Sequence, residues 1–125
     1  MIARILHHLR VSAPRPIHVL AGDESLSQHL CVRLQSILGQ TVGILHAVTE
    51  IVAPGIVVTT TSECSPDECA GLTHSGVDVI VLAALPSSFQ EESYRNAGAS
   101  HYLPMNLDIE PLTLALLGLT RRSGA

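Results

Sequence analysis

Two adjacent carboxylates, Asp23 and Glu24, follow an apolar segment at residues 17–21 that has the pattern of a buried strand. Carboxylate oxygens at the end of a strand are suitable ligands for a hard cation such as Mg²⁺. The same acids also suit the first turn of a helix, where the positive end of the helix dipole stabilises them. The pair alone leaves both interpretations open.

The cysteines and histidines do not suggest a metal site. Cys64, Cys69 and His74 are five residues apart, a spacing that matches no compact ligand motif. His7 and His8 adjoin each other, and neighbours on a helix diverge by about 100°. The sequence also lacks a nucleophile paired with a base and a glycine-rich phosphate loop after the first strand. We therefore expect no bound metal, no cofactor and no enzymatic activity.

Five short apolar segments predict the strands that position these residues. They lie at residues 17–21, 42–46, 56–60, 77–83 and 100–104. Capping patterns mark the starts of the helices between and after them: Ser25 with Gln28, the run "SPDE" at 65–68, Ser88 with Glu91, and Asp108. We expect the first of these helices to end at Gly39 and the last at Leu119. Only nine residues separate the second and third strands, so any helix there has at most about two turns.

Alternation of strands and helices with short connections predicts an α/β fold with a parallel sheet and right-handed crossovers. Five strands favour a flavodoxin-like, doubly wound sheet of order 2-1-3-4-5, with its crevice at the carboxyl ends of strands 1 and 3. Ahead of this domain, Ile2, Ile5, Leu6 and Leu9 predict an amphipathic helix, which a proline-rich joint ends. We divide the chain into this helix and joint (1–16), the domain (17–120) and the start of a linker or tail (121–125).

Composition limits the classes of function. With 125 residues and 46% hydrophobic residues the chain can form one packed domain, and its formal net charge is −4 without a basic stripe. Direct binding of nucleic acid by this segment is therefore not expected. The longest apolar runs are too short for a membrane span, and the N-terminus lacks the pattern of a secretory signal. Three cysteines cannot all pair within one chain, which fits a reducing compartment such as the cytoplasm.

Two stretches resemble the receiver domain of two-component response regulators. "VDVIVLAALPSSFQEESYRNAGASHYLPMNLDIEPL" (77–112) is similar to the second half of that family, and "NAGASHYL" is its most specific part. "IHVLAGDESLSQHLCVRLQSIL" (17–38) is similar to the first strand and helix of the family. The resemblance covers about residues 17–119 and is looser between Gly39 and Cys69.

The resemblance also indicates which acidic positions have changed. The acidic pair that binds Mg²⁺ in the family corresponds to Gly22 and Asp23, so one acid is lost, with Glu24 beside it as a substitute. The phosphate-accepting aspartate corresponds to Thr60, or to Ser62 when the alignment is set from Pro66. The nearest remaining acid to that position is Glu63.

Other positions of the family site are changed as well. The switching serine or threonine corresponds to Ala83, and the phosphate-contacting lysine corresponds to Met105. The proline that normally follows the lysine is Asn106, whereas the aromatic residue of the fifth strand is kept as Tyr102. Acyl-phosphate formation needs a carboxylate nucleophile, a divalent ion and a cation beside the phosphoryl oxygens. The sequence therefore predicts a degenerate phosphorylation pocket and a pseudo-receiver that works without phosphorylation.

We interpret the chain as a regulatory dimerisation or docking module at the N-terminal part of a signalling or transcriptional regulator. Its expected partners are a second copy, another protein or a downstream effector domain. The resemblance implies an interaction surface at Tyr94, Arg95, Tyr102, Leu107 and Asp108, or on the first and last helices of the domain. Leu112 and Leu116 belong to the same region, but core packing is the favoured explanation for them. Alternatively, hydroxyls at 59–62 with Ala83 and Met105 would form a small-ligand sensor in the vacated crevice.

Overall fold

The structure is a computed structural model that describes residues 15–51, 53–105 and 108–124, with side chains described up to residue 120. The predicted N-terminal helix and Leu107 lie outside these residues. The elements follow in this order: β1 (Ile17–Leu20), α1 (Glu24–Leu38), β2 (Val42–Ile44), a 3-10 turn (Val48–Glu50), β3 (Gly55–Thr60), α2 (Pro66–His74), β4 (Val77–Ala83), α3 (Ser88–Asn96), β5 (His101–Pro104) and α4 (Glu110–Gly124).

All strand pairs are parallel, and the sheet order is β2-β1-β3-β4-β5. This confirms the predicted flavodoxin-like order. Among the described residues between β2 and β3, the 3-10 turn is the one helical element, which agrees with the prediction of at most about two helical turns there. Every residue of β3 is buried, because the strand has a partner on each side and helices on both faces.

Two hydrophobic clusters separate the faces of the sheet. On one face, α1 and α4 pack on β-branched and leucine side chains of the strands, including Val19, Val58 and Ile80. On the other face, α2 and α3 pack on a second set that includes Val57, Val79 and Val81. Alternate residues of one strand therefore belong to opposite clusters, as the two-residue period of a strand requires.

Helix capping was predicted correctly at one start and wrongly at two. Ser65 and Glu68 form the predicted capping box, with Ser65 Oγ accepting from Glu68 N at 3.2 Å and Glu68 Oε1 accepting from Ser65 N at 3.0 Å. The cap of α1 is Asp23, not Ser25 with Gln28, and the cap of α3 is Ser87, not Ser88 with Glu91. In both cases the capping residue stands earlier in a polar run, and its side chain meets the orphan N–H groups first.

The predicted end of α1 agrees with the structure, whereas the predicted end of α4 does not. Gly39 ends α1 in the left-handed conformation at φ +70°, as its place after the apolar stripe predicted. The last helix was expected to stop at Leu119 but continues to Gly124, because the arginines that follow are good helix formers and no proline interrupts them. In the described part of the chain, no helix is long and apolar enough to cross a membrane.

Candidate functional site

The carboxyl edge of the sheet collects the ends of the three central strands and β5. In the strand register Leu20 is level with Thr59, Thr60 with Leu82, and Ala83 with Pro104. This brings the segments that carry Gly22, Thr60, Ala83 and Met105 to one edge, where the sequence predicted the degenerate pocket.

Hydroxyl groups at the end of β3 are already hydrogen-bonded within the protein. Thr60 is 3% exposed, and its Oγ1 lies 3.0 Å from Ser62 Oγ. Thr59 Oγ1 donates to the carbonyl of Leu20 at 2.6 Å and joins β3 to the end of β1. A threonine hydroxyl cannot form an acyl phosphate. The Thr59 hydroxyl links two strand ends, and the Thr60 hydroxyl bonds to the turn that follows its own strand.

The Glu63 carboxylate occupies the space beside Gly22. Gly22 has φ +75°, and a Cβ atom added there would collide with the Glu63 carboxyl group. A side chain at position 22 would therefore have to displace Glu63 and also adopt a left-handed backbone. The sequence named Glu63 only as the nearest acid, whereas the structure brings its carboxylate against the position where the family has one of its paired acids.

Asp23 and Glu24 serve the start of α1. Asp23 Oδ1 accepts from Leu26 N at 3.1 Å, and Glu24 lies in the first turn with Oε1 3.5 Å from Gln28 Nε2. Within the described residues there is no group of three or more histidine, cysteine, aspartate or glutamate side chains that could hold a metal ion. Of the two readings of this acidic pair, the helix start is the one that the geometry favours.

Ala83 and Met105 are joined through their backbones. The carbonyl of Ala83 accepts from Met105 N at 2.8 Å, which extends the β4–β5 pairing by one hydrogen bond. The Ala83 side chain is buried, whereas Met105 is half-buried and packs against the cluster formed by α1 and α4, next to Leu103 and Ile109. The apolar residue at the family's lysine position therefore enlarges the hydrophobic face of the sheet.

Tyr94 was predicted to be a surface residue, and this prediction is wrong. Only 2% of Tyr94 is exposed, and its hydroxyl donates to the carbonyl of Cys64 at 2.6 Å. Burial, with smaller contributions from the Cys64 and Cys69 thiols, raises the pKa of Tyr94 to about 12. Tyr94 is the one buried residue of α3, so it holds that helix on the sheet.

Tyr102 supports the start of α3 from the neighbouring strand. Its ring stacks on Tyr94 with centroids 6.0 Å apart and planes inclined by 28°. Its hydroxyl accepts from Ser87 N at 3.2 Å and donates to the side chain of Gln90. These contacts fix the loop after β4 and the first turn of α3.

Two of the remaining predicted surface residues are exposed. Arg95 forms an ion pair with Glu91 one turn earlier, at 2.7 Å. Asp108 accepts from Glu110 N at 3.0 Å at the start of α4. Leu112 and Leu116, for which core packing was the other explanation, are buried under α4.

The sequence analysis missed an exposed apolar pair. Leu85 in the loop after β4 is 88% exposed, and Phe89 in the first turn of α3 is 83% exposed. Phe89 precedes Tyr94 by five residues, which places it about 140° around the helix from the side chain that faces the sheet. This spacing could have identified Phe89 as a surface residue once Tyr94 was assigned to the core.

Solved structures with the same arrangement are receiver domains. The signal receiver domain of a NarL response regulator from Mycobacterium tuberculosis superposes with a TM-score of 0.68 at 15% identity, over 87% of this chain and 98% of that chain. A two-component response regulator of the LuxR family from Aurantimonas gives 0.76 at 14% identity, over 88% and 87%. The fold is that of a response-regulator receiver domain.

A third receiver fold was solved with a protein bound to it. The receiver domain of a yeast (Saccharomyces cerevisiae) response regulator, in complex with its histidine phosphotransfer signalling protein, gives a TM-score of 0.72 at 9% identity, over 90% of this chain and 93% of that chain. No family model matches the sequence, and no curated protein sequence matches it significantly. Identities of 15% and below establish the receiver fold alone, so the function has to be argued from the residues.

Proposed function

We propose that this domain is a pseudo-receiver: a regulatory module of receiver fold that acts without phosphorylation. The observation that carries the proposal is the end of β3, where buried Thr60, hydrogen-bonded to Ser62, stands where receivers need a carboxylate nucleophile. The coarser conclusion, that the chain has the fold of a signalling module, follows from the structural neighbours.

Electrostatics at the same edge supports this proposal. Phosphotransfer brings a phosphoryl group and Mg²⁺ to the strand ends, and positive groups have to neutralise the added negative charge. Here the Glu63 carboxylate lies against Gly22, and Met105 supplies no charge at the family's lysine position. Negative charge is therefore kept at this edge while the neutralising amine is missing.

A labelling experiment tests the loss of phosphotransfer. The native chain is incubated with acetyl phosphate and Mg²⁺, and the phosphate retained is measured by intact-mass spectrometry, with hydroxylamine used to detect acyl phosphate. A variant with Gly22→Asp, Thr60→Asp and Met105→Lys serves as the positive control, because it restores the missing groups. We expect no hydroxylamine-sensitive phosphate on the native chain, and stoichiometric labelling of it would refute the proposal.

The second part of the proposal is a docking surface, which we define as Leu85, Phe89 and the exposed side of α3 around Arg95. Both apolar side chains are more than four-fifths exposed, although Tyr102 holds the backbone between them in place. Two large apolar side chains exposed on one loop and the adjoining start of a helix favour protein association. We propose that it joins two copies of the domain, since a two-fold dimer uses the same patch on both subunits.

Sedimentation velocity across a concentration series tests this dimer. The double variant Leu85→Ser and Phe89→Ser removes two large apolar side chains from each subunit, and so four from a symmetric interface. Burying one such side chain stabilises by about 1.5–3 kcal/mol. We expect the dimer dissociation constant to rise at least a hundredfold. Val32→Ser with Leu114→Ser is the matched control, because both residues are exposed apolar positions on other helices. Equal effects of the two double variants would contradict this surface.

In this proposal the module works in the cytoplasm and regulates an effector domain or partner protein. The proposal gives nucleic-acid contacts to the effector, since the net charge of −4 opposes phosphate binding by this segment. A complex in which a receiver domain contacts a phosphotransfer protein gives a precedent for protein docking on this fold.

A further inference from the structure

A cavity of about 380 Å³ lies between α1 and α4, on the face of the sheet opposite α2 and α3. Most of its lining is apolar and comes from three places: α1, the end of β5 and the start of α4. The principal apolar residues are Leu26, Leu30, Leu103, Met105, Ile109 and Leu112. The volume falls in the range of about 300–1,000 Å³ that is typical of small-molecule sites.

The charged groups of the cavity lie at different ends. His29 and Arg33 line it from α1, one helical turn apart and therefore on the same side of that helix. Both ion pairs of the described residues use other arginines, Arg15 and Arg95, so the Arg33 guanidinium retains its capacity to bind an anion. Asp108 lines the cavity near Met105 and accepts a backbone hydrogen bond from Glu110 at the start of α4.

Helix geometry separates these two ends. Arg33 follows Leu26 by seven residues, which places it about 10 Å further along α1. Leu26 and Met105 lie towards the carboxyl edge of the sheet, where α1 and α4 both begin, and Asp108 is at the same end. The cavity is thus a largely apolar channel with Arg33 at one end, the Asp108 carboxylate at the other, and His29 between them along α1.

We propose that this cavity binds a small amphipathic anion: a medium-length aliphatic monocarboxylate or a molecule with the same chemistry. The aliphatic chain would lie along Leu30, Leu103 and Met105, and the carboxylate would accept charge-assisted hydrogen bonds from Arg33 and His29. This site is separate from the end of β3 and from the docking surface.

The residue at position 105 decides whether an aliphatic chain fits. A lysine there, as in the receiver family, would bring an ammonium group into the apolar lining of the channel, and removing that charge from water is unfavourable. Methionine is unbranched and adaptable, and it extends the hydrophobic lining instead. The change that removes an amine from the phosphorylation pocket therefore also lengthens the apolar channel.

Binding is tested by two-dimensional ¹H–¹⁵N NMR titration of the whole chain with decanoate below its micellar concentration. Decanol and decyltrimethylammonium serve as neutral and cationic probes of the same chain length. We expect saturable shifts confined to α1, the end of β5 and the start of α4, with decanoate binding about tenfold more tightly than decanol. One charge-assisted hydrogen bond accounts for a factor of this size.

Arg33→Gln is expected to reduce decanoate affinity at least tenfold and to leave decanol affinity unchanged. Met105→Glu is expected to weaken the binding of both decanoate and decanol, because it places a charged group where the aliphatic chain would lie. Arg95→Gln is the matched control, since it removes an exposed arginine outside the cavity, and unfolding curves establish that each variant is folded.

Three results would overturn this inference: decanoate and decyltrimethylammonium bind equally well, Arg33→Gln binds decanoate as the native chain does, or the shifts cluster around Leu85 and Phe89. Repeating the titration on the variant with Leu85→Ser and Phe89→Ser separates this site from the docking proposal. If this variant no longer dimerises but still binds decanoate, the result supports ligand binding in the cavity independently of the docking surface.

Discussion

The contact between Gly22 and Glu63 predicts how the protein responds when an acid is restored at the carboxyl edge. Gly22→Asp introduces a side chain at φ +75°, and that side chain needs the space that the Glu63 carboxylate fills. Gly39→Asp is the matched control, because Gly39 has φ +70° and no atom within 4 Å of an added Cβ. The two variants share the cost of the left-handed backbone, and only the first displaces a carboxylate.

The magnitudes follow from this geometry. A non-glycine residue in the left-handed region costs about 1–2 kcal/mol, and aspartate belongs at the lower end, so Gly39→Asp should lose about 1 kcal/mol. Two carboxylates about 4 Å apart repel by roughly 1 kcal/mol in water and more where the effective dielectric is lower. Gly22→Asp should therefore lose about 2–3 kcal/mol. Because Glu63 is half-buried and its carboxylate is at the end of a flexible side chain that can move, we take about 1 kcal/mol for the repulsion energy.

Urea unfolding followed by circular dichroism measures these losses, and Glu63→Gln in both backgrounds isolates the repulsion as a double-mutant cycle. We expect Gly22→Asp to recover about 1 kcal/mol when Glu63 is neutralised, and Gly39→Asp to recover nothing. Asp23 and Glu24 repel the new acid in either background, so they cancel in the cycle. Equal losses at positions 22 and 39, or a coupling near zero, would refute the placement of the Glu63 carboxylate beside Gly22.

Three further predictions concern stability and reactivity. Arg15→Ala should lose about 1–3 kcal/mol of unfolding free energy, because Arg15 pairs with half-buried Asp78 and also donates to the carbonyl of Gly55 at 2.8 Å. Arg95→Ala should lose at most about 0.5 kcal/mol, because the ion pair of Arg95 is exposed. The free energy of unfolding should fall as the pH rises from about 9 to 12, because burial raises the pKa values of Cys64 and Tyr94 to about 12. The stabilisation from these two groups is complete below their pKa values in the unfolded chain and is lost as the pH rises through their pKa values in the folded chain. Tyr94→Phe should flatten the upper part of that decline. At pH 8 the Cys64 thiol should react with a thiol reagent only as fast as the protein opens, and rapid labelling of the folded chain would contradict its burial.

Elements with a signal at both ends were predictable from the sequence. β4 was predicted at residues 77–83 and is observed as Val77–Ala83. An apolar run that contains one acid, Asp78, begins directly after Gly76, and a segment with Pro86 and Ser87 comes soon after its end. The strand order followed from short right-handed crossovers, since these leave few arrangements for five parallel strands.

Capping residues were less predictable where polar residues stand in tandem. Asp23 and Ser25 precede the same helix, and Ser87 and Ser88 precede another, so the local pattern fits more than one starting position. The choice depends on where the preceding strand ends and on how the loop enters the helix, which a local pattern does not contain. Tyr102 fixes that entry for α3 through its hydrogen bond to Ser87 N.

Tyr94 and Glu63 were beyond the reach of local patterns for a different reason. Apart from Tyr94, the helix has one large apolar residue, Phe89, which lies on another side, so it shows no apolar stripe to indicate which side faces the sheet. The position of the Glu63 carboxylate depends on the turn at residues 61–64, in which the backbone N–H groups of Glu63 and Cys64 both bond to the carbonyl of Thr60. That turn brings an acid from after β3 to the end of β1, a contact set by tertiary structure.

Hydrogen bonds close the carboxyl edge of the sheet. A phosphorylation pocket keeps several carboxylates close together and open to an incoming group, and their mutual repulsion opposes folding. Here Thr59 bonds across to the carbonyl of Leu20, Thr60 pairs with Ser62, and the Met105 backbone bonds to Ala83, so each strand end is joined to a neighbour or to its own loop. In the proposed pseudo-receiver, the two sites of regulation are therefore the docking surface at Leu85 and Phe89 and the channel between α1 and α4.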